Sequence, residues 1–326
     1  MTTFREIAKT RGDTTADEVD DKLTLTISGC GLQGTGKTLW GLKTMPTPIL
    51  HLNFDRVSDG LLYQKDAEGN LLIPKERQQD IVTIHIGPEQ FNKEGETSWN
   101  ELSAGMAREK MEQAIRDYTP ALKGGTFFLD GGAMLNQLVQ LVELAKIRRT
   151  REGKDQKLFP FDYALVNSYI NGLMGSLNRA DFNFYITHHL TENWDSTGPM
   201  GTYRPQHNSQ VPKIIEIELW FWCLCSQEVV DTNKKKGVCR KFDCTQAGHS
   251  GRLFNTKVIE NKMKKSMIGY TQDNLTFDML YLMTFGQPYK KVEVEEEKAE
   301  PAAKEEEPKK MGLPKAKAKK PVGKGK

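Results

Sequence analysis

The residues that most plainly could do chemistry are eight in a row, Gly31-Leu32-Gln33-Gly34-Thr35-Gly36-Lys37-Thr38. Glycines at this spacing let successive backbone N–H groups curl around an anion, and a helix that starts directly afterwards adds its positive dipole end. Lys37 then reaches the β and γ phosphates of a nucleoside triphosphate, and the Thr38 hydroxyl is placed to meet Mg²⁺. The cofactors this pattern implies are ATP and Mg²⁺. A glycine-rich turn that happens to spell the motif is the bland alternative. The flanks argue against it, because an apolar β-prone run precedes the loop and Thr38-Leu-Trp-Gly-Leu-Lys follows it.

Such a loop needs an acid at the end of a neighbouring strand to organise the metal through water. Thr126-Phe-Phe-Leu-Asp130 is an apolar run ending in a carboxylate, with Gly131-Gly132 and a helical pattern after it. Asp130 is read as the metal-organising residue, with helix capping as the alternative. Hydrolysis also asks for a group that orients or deprotonates water. Asp55 closes the run Leu52-Asn53-Phe54-Asp55 and competes with a plain turn aspartate. His188, with His189 beside it, closes Phe182–Thr187 and is read as a sensor of the γ-phosphate; a solvated surface pair is the alternative.

These residues are useful only if strands bring them to one edge. Leu23–Ser28, Pro48–Phe54, Ile81–Ile86, Thr126–Leu129 and Phe182–Thr187 are rich in β-branched and aromatic residues and predict strands. Between them Trp99, Leu102, Met106, Met111, Ile115 and Tyr118 recur at helical spacing. So do Leu135, Leu138, Val139 and Val142, and then Leu165, Tyr169, Leu173 and Leu177. Alternation of this kind predicts an α/β fold with a mostly parallel sheet and helices on both faces. After Pro212 the period becomes that of strands. Ile215 to Cys223 alternates, Asn233–Gly237 offers a turn, Val238–Phe242 and Val258–Lys262 follow, and together they predict a β-rich C-terminal extension of the sheet.

The 326 residues divide on composition into a flexible segment 1–21, one α/β domain over 22–285 and a charged tail over 286–326. Residues 290–326 contain 12 lysines and 8 glutamates and no aromatic residue. A segment so poor in apolar surface cannot offset its ordering entropy, and disorder is expected. The remaining 34 basic and 35 acidic residues leave the folded part at net −1, so the overall +3 belongs to the tail. Any nucleic-acid site in the domain must therefore come from local clustering. Five cysteines do not suggest a disulfide framework. Cys223, Cys225, Cys239, Cys244 and His249 only approach zinc-ligand spacing and are read as core residues. His51 and His85, in apolar strands, are read as core or sheet-edge residues. The start is polar, unlike a leader peptide, and no run is long enough to span a bilayer, so a soluble cytoplasmic protein is expected.

The order of the parts (phosphate loop, strand ending in an acid, Asp130, strand ending in a polar residue) resembles the RecA-like ATPase core. It is most similar to phage-encoded RecA-like ATPases linked to single-strand annealing and recombination, with the host cytoplasm as the implied setting. The resemblance covers about residues 22–270. It implies that Asp55 stands where the family has its catalytic glutamate and that His188 stands where recombinases have glutamine. It also implies that Lys262, in Val258-Ile-Glu-Asn-Lys262, reaches the nucleotide of a neighbouring subunit in a ring or filament. Here the chain departs from the family, since Asp55 is shorter than glutamate and Glu260 replaces the first lysine of that strand.

Two stretches fall where the family holds DNA. One is the basic cluster Arg148, Arg149, Arg151, Lys154 and Lys157, with Phe159 and Phe161 nearby. The other is the long loop expected over Thr191–Lys213, which includes Trp194, Tyr203 and Arg204. Cations that track phosphates and aromatic rings that stack bases suit single-stranded DNA. The partners implied are single-stranded DNA, further copies of the chain, and single-strand-binding or other recombination proteins. The alternatives left open are a packaging or helicase-type motor and a nucleotide-gated scaffold that scarcely hydrolyses.

Overall fold

The computed structural model describes residues 10, 23–31, 35–54, 56–66, 68–87, 101–150, 158–177, 179–195, 198–205, 221–226, 241–243, 271–273 and 276–291. From residue 190 to residue 273 the description is of the backbone. In chain order the elements are β1 (Thr26–Gly31), α1 (Lys37–Thr44), β2 (Ile49–Asn53), β3 (Ile81–His85), α2 (Glu101–Tyr118), β4 (Thr126–Asp130) and α3 (Gly132–Thr150). They continue with α4 (Tyr163–Leu177), β5 (Asn183–Asp195), β6 (Gly198–Pro205), β7 (Phe221–Ser226), β8 (Lys241–Asp243), β9 (Thr271–Asp273) and α5 (Phe277–Phe285).

The strands form one sheet in the order β3-β2-β4-β5-β1-β7-β8-β9. The six from β3 to β7 are parallel to their neighbours, and β8 and β9 are added antiparallel. The chain therefore has the α/β fold expected of it, with antiparallel strands at one end of the sheet. Strands covered on both faces should read as unbroken apolar runs. Every residue of β1, β2 and β4 is buried, whereas β3, at the edge, is only partly so.

Side chains alternate across the sheet and build two cores. Leu50, Leu52, Phe127, Leu129, Phe184 and Ile186 meet α2, α3 and α4 on one face. Ile27, Ile49, Phe128 and Tyr185 meet α1 and α5 on the other. Two helices of the first face show how a helical period can be right while its phase is off. On α4 the fully buried stripe is Val166, Ile170, Met174 and Leu177, one residue on from the expected Leu165, Tyr169 and Leu173; Leu165 is 56% exposed. On α2 the small Ala104 and Ala114 join Met111 in the core, while Leu102 and Met106 face out. α2 packs against α3, and close approach of two helices favours small residues at the contact, which hydrophobicity alone underrates.

The clearest correction concerns 191–213. The sequence predicts a long irregular loop there, but β5 runs on to Asp195 and returns as β6, pairing Thr191 with Arg204, Glu192 with Tyr203 and Asp195 with Gly198. A register shift falls between Glu192 and Trp194. Gly198, Pro199, Gly201 and Pro205 make the stretch look like a loop. Proline and glycine are tolerated because β6, among the described residues, pairs with β5 alone and lies off the path of the main sheet. Residues 206–213 lie outside the described residues, as do the expected turn at 233–237, the strand at 258–262, most of 1–22, and 292–326. Among the described residues no helix is long and apolar enough to cross a membrane.

Candidate functional site

The parallel strands all end at one edge, and there the chemistry collects. β1 ends at Gly31, in register with His189 of β5. On the other side of β5, Asp130 ends β4 and pairs with Asn53, the last residue of β2, which pairs in turn with His85. The loop from β1 enters α1 through Thr35 and Gly36; Leu32, Gln33 and Gly34 lie outside the described residues. Gly36 is the N-cap, with φ 85° and ψ 15°. That left-handed conformation favours glycine, and Gly36 offers no side chain to the first-turn N–H groups.

Lys37 is buried, and its Nζ donates to the Gly31 carbonyl at 3.0 Å, which turns the ammonium back to the end of β1. Thr38 Oγ1 donates to Asp130 Oδ2 at 2.8 Å. Thr187 Oγ1 donates to Asp130 Oδ1 at 2.5 Å and accepts from the Gly131 N–H at 2.9 Å. His51 Nε2 lies 3.4 Å from Asp130 Oδ2, and its Nδ1 lies 3.2 Å from Thr83 Oγ1. Burial by itself disfavours charge on Asp130. The hydrogen bond of His51, with the hydroxyls of Thr187 and Thr38, outweighs it and holds the carboxyl below its usual range.

The residues present fit a Mg-triphosphate. They supply a glycine-entered helix N-terminus, a lysine turned to the end of β1, and a hydroxyl and a charged carboxylate in contact. Among the described residues no three His, Cys, Asp or Glu side chains cluster as an all-protein metal site. Mg²⁺ shared between a protein and a phosphate needs only one or two carboxylates.

Tyr185 fixes α1 onto this edge. Its hydroxyl donates to the Lys37 carbonyl at 3.0 Å, and a Cβ placed on Gly29 would come 2.1 Å from that oxygen. Only glycine at position 29 lets the phenol lie across β1. The ring packs on Trp40 and Phe128, and Phe128 stacks on His51 at 4.5 Å.

The other candidates fall elsewhere. His188 is buried on the opposite face of the sheet from Asp130. Its Nδ1 lies 3.0 Å from Ser28 Oγ, and Gly132 lies so near that a Cβ there would stand 2.6 Å from Nε2. The β5 residue that touches Asp130 is Thr187, one place earlier. His189, half-buried, shares by alternation the face of Thr187. Cys30, next to last in β1, lies on the His188 side; burial pushes its thiol up to about 12, too high for a nucleophile at neutral pH. Asp55, Arg151, Lys154, Lys157 and Lys262 lie outside the described residues. Trp194 is on β5 and Tyr203 and Arg204 are on β6, in the hairpin. Arg148 and Arg149, at the end of α3, are exposed. Phe159 and Phe161 are exposed as well, with their rings parallel within 8° and centroids 5.8 Å apart.

The sequence reading missed Thr187 and His51. Nothing local marks them, because their importance depends on β2 and β5 flanking β4. That order is visible only in the fold.

No protein-family model matches the chain, and no curated protein is similar to it in sequence. Among solved structures, an ATPase from the type III secretion system of pathogenic bacteria is similar over 64% of this chain and 55% of its own, at 12% identity and TM-score 0.40. A KaiC-like protein from the hyperthermophilic archaeon Pyrococcus horikoshii is similar over 68% and 77%, at 12% identity and TM-score 0.32. The assembled ATPase EscN of enteropathogenic E. coli is similar over 64% and 45%, at 14% identity and TM-score 0.37. The chain thus spans about half the length of the secretion ATPases it resembles. With TM-scores of 0.40 and below, these likenesses carry no argument, and fold and site stand on the chain's own geometry.

Proposed function

We propose that this chain is a RecA-like P-loop ATPase that binds ATP with Mg²⁺, hydrolyses it, and acts on single-stranded DNA as a ring or filament of identical subunits. The observation that carries the nucleotide part is the contact of Thr38 with Asp130 at the N-terminus of α1, beside Lys37. A phosphate-loop hydroxyl and a strand-end carboxylate come together from residues 92 apart in the chain.

In this reading the backbone N–H groups after Gly31 and the Lys37 ammonium hold the phosphates. Thr38 and Asp130 would hold the metal, which supplies charge to the developing phosphate oxygens when bound. Thr187 ties Asp130 and the Gly131 N–H to β5, the strand that continues into the hairpin. A change at the carboxylate therefore has a short route, through the Thr187 hydrogen bond and along β5, to Trp194 and, across the pairing with β6, to Tyr203 and Arg204. The DNA part is supported by that continuity and by the exposed Phe159 and Phe161, which follow the exposed Arg148 and Arg149 in the chain. Parallel exposed rings offer bases a stacking surface, and arginines offer phosphates a partner. Asp55 is assigned as the residue that orients water, His188 as the sensor behind the Ser28 side of the sheet, and Lys262 as the trans-acting lysine.

The test is the ATP turnover rate with single-stranded DNA, double-stranded DNA, RNA or no nucleic acid, across salt. The reading expects the largest stimulation from single-stranded DNA, falling as salt rises. Strand displacement would favour a motor, and nucleotide binding without turnover would favour a scaffold. Light scattering with and without nucleotide reads the assembly.

A further inference from the structure

We propose that His51 is a positioning residue of the Mg-nucleotide site, holding the Asp130 carboxylate through its Nε2 when the Thr38 hydroxyl is given up to the metal. The inference rests on the nucleotide reading above and goes beyond it by assigning a role to a residue that no phosphate-loop pattern contains.

Three observations converge on His51. It is fully buried in the middle of β2, with 0% exposure, so its polar atoms have no water to turn to. Both ring nitrogens face polar atoms on the neighbouring strands: Nδ1 faces Thr83 Oγ1 on β3, and Nε2 faces Asp130 Oδ2 on β4. The ring is also held flat, stacked on Phe128 with 27° between planes. A Thr83 hydroxyl that donates to Nδ1 leaves the proton on Nε2, directed at the carboxylate.

Asp130 Oδ2 has two such partners, Thr38 at 2.8 Å and His51 at 3.4 Å. Only one of them can leave. Thr38 lies on the loop side and is the group with a metal to bind; His51 is locked into the sheet. When the Thr38 hydroxyl turns to the cation, His51 remains as the donor that keeps Oδ2 in place, while Thr187 keeps Oδ1. Outer-shell donors of this kind orient metal-binding carboxylates, and their loss typically lowers metal affinity about 10- to 100-fold.

The experiment titrates Mg²⁺ against the full chain with a fluorescent ATP analogue and reads binding, not turnover. Replacing His51 by Phe keeps a ring against Phe128 and removes the donor. The half-saturating Mg²⁺ should rise about tenfold or more, while affinity for metal-free nucleotide changes little. His51→Gln restores an N–H at similar reach and should bring the half-saturation back to within about threefold of wild type. Thr83→Val, a milder change, should move it the same way by about threefold. The proposal is overturned if His51→Phe titrates like wild type, or if His51→Gln is as poor as His51→Phe. Should circular dichroism show His51→Phe unfolded, an unchanged Thr83→Val titration overturns it as well. Failure of the nucleotide reading looks different, because wild type would then bind no analogue at any Mg²⁺ concentration.

Discussion

Asp130 and Glu143 are equally buried carboxylates on consecutive elements, yet they are held in opposite ways. Glu143, on α3, takes Arg108 Nη1 at 3.1 Å and Lys146 Nζ at 2.6 Å, so two full positive charges answer one negative. Arg108 also bonds Glu112 at 2.8 Å and lies 3.9 Å over the Tyr169 ring, closing the network among α2, α3 and α4. Asp130 is met instead by two hydroxyls and an imidazole. A carboxylate already neutralised by lysine and arginine has little left for a cation. One held charged by hydroxyls and an imidazole keeps its field for a ligand. The contrast separates a clamp between helices from the carboxylate proposed to organise the metal.

The largest effects should separate these two clusters by what is lost. Lys37→Ala should lower ATP turnover by about 100-fold or more, since it removes the charge over the phosphates, with little effect on folding. Glu143→Gln should leave turnover within about twofold and destabilise the fold by about 2 kcal/mol, because Lys146 and Arg108, which keeps Glu112, lose the carboxylate that joins them. Turnover assays and urea denaturation on the same preparations read both. A Glu143 variant that lost turnover while staying stable would collapse the distinction.

Two smaller effects sharpen it. Tyr185→Phe removes the hydroxyl that bonds the Lys37 carbonyl and should cost about 1 kcal/mol, read by denaturant midpoint, with a modest rise in KM for ATP. The smallest effect concerns pH. Burial works against charge on Glu112, but the hydrogen bonds of Arg108 and Tyr169 prevail and hold its carboxyl below the ordinary 4.5. A depressed folded-state value means that stabilisation is complete above 4.5 and is lost as pH falls through the lower folded value. The stability gap between wild type and Glu112→Gln should therefore be steady near neutrality and close in acid. A gap that opens in acid would reverse the sign.

How much of this was legible in the sequence follows from the range of each interaction. The five strand runs from Leu23 to Thr187 could be seen because parallel strands buried on both faces spell themselves locally as Ile, Leu and Phe. Lys37, Thr38 and Asp130 stood out for the same reason, since the phosphate loop and the strand-end acid are short patterns. Register and strand order are not local. His51 looked like one more core histidine until β4 was found beside β2, and it is Thr187, one place before His188, that meets Asp130, because a shift of one residue changes the face of the sheet. The β5–β6 hairpin was hidden by its own glycines and prolines, which an edge strand tolerates.

The account depends most on Asp130 being a metal-organising carboxylate rather than a buried structural one. Its direct test is the affinity of the full chain for a fluorescent ATP analogue, with and without Mg²⁺, in wild type and in Asp130→Asn. Mg²⁺ should tighten binding about tenfold or more in wild type and by less than about twofold in the variant, with metal-free affinities alike. Equal Mg²⁺ dependence in the two proteins would contradict the assignment.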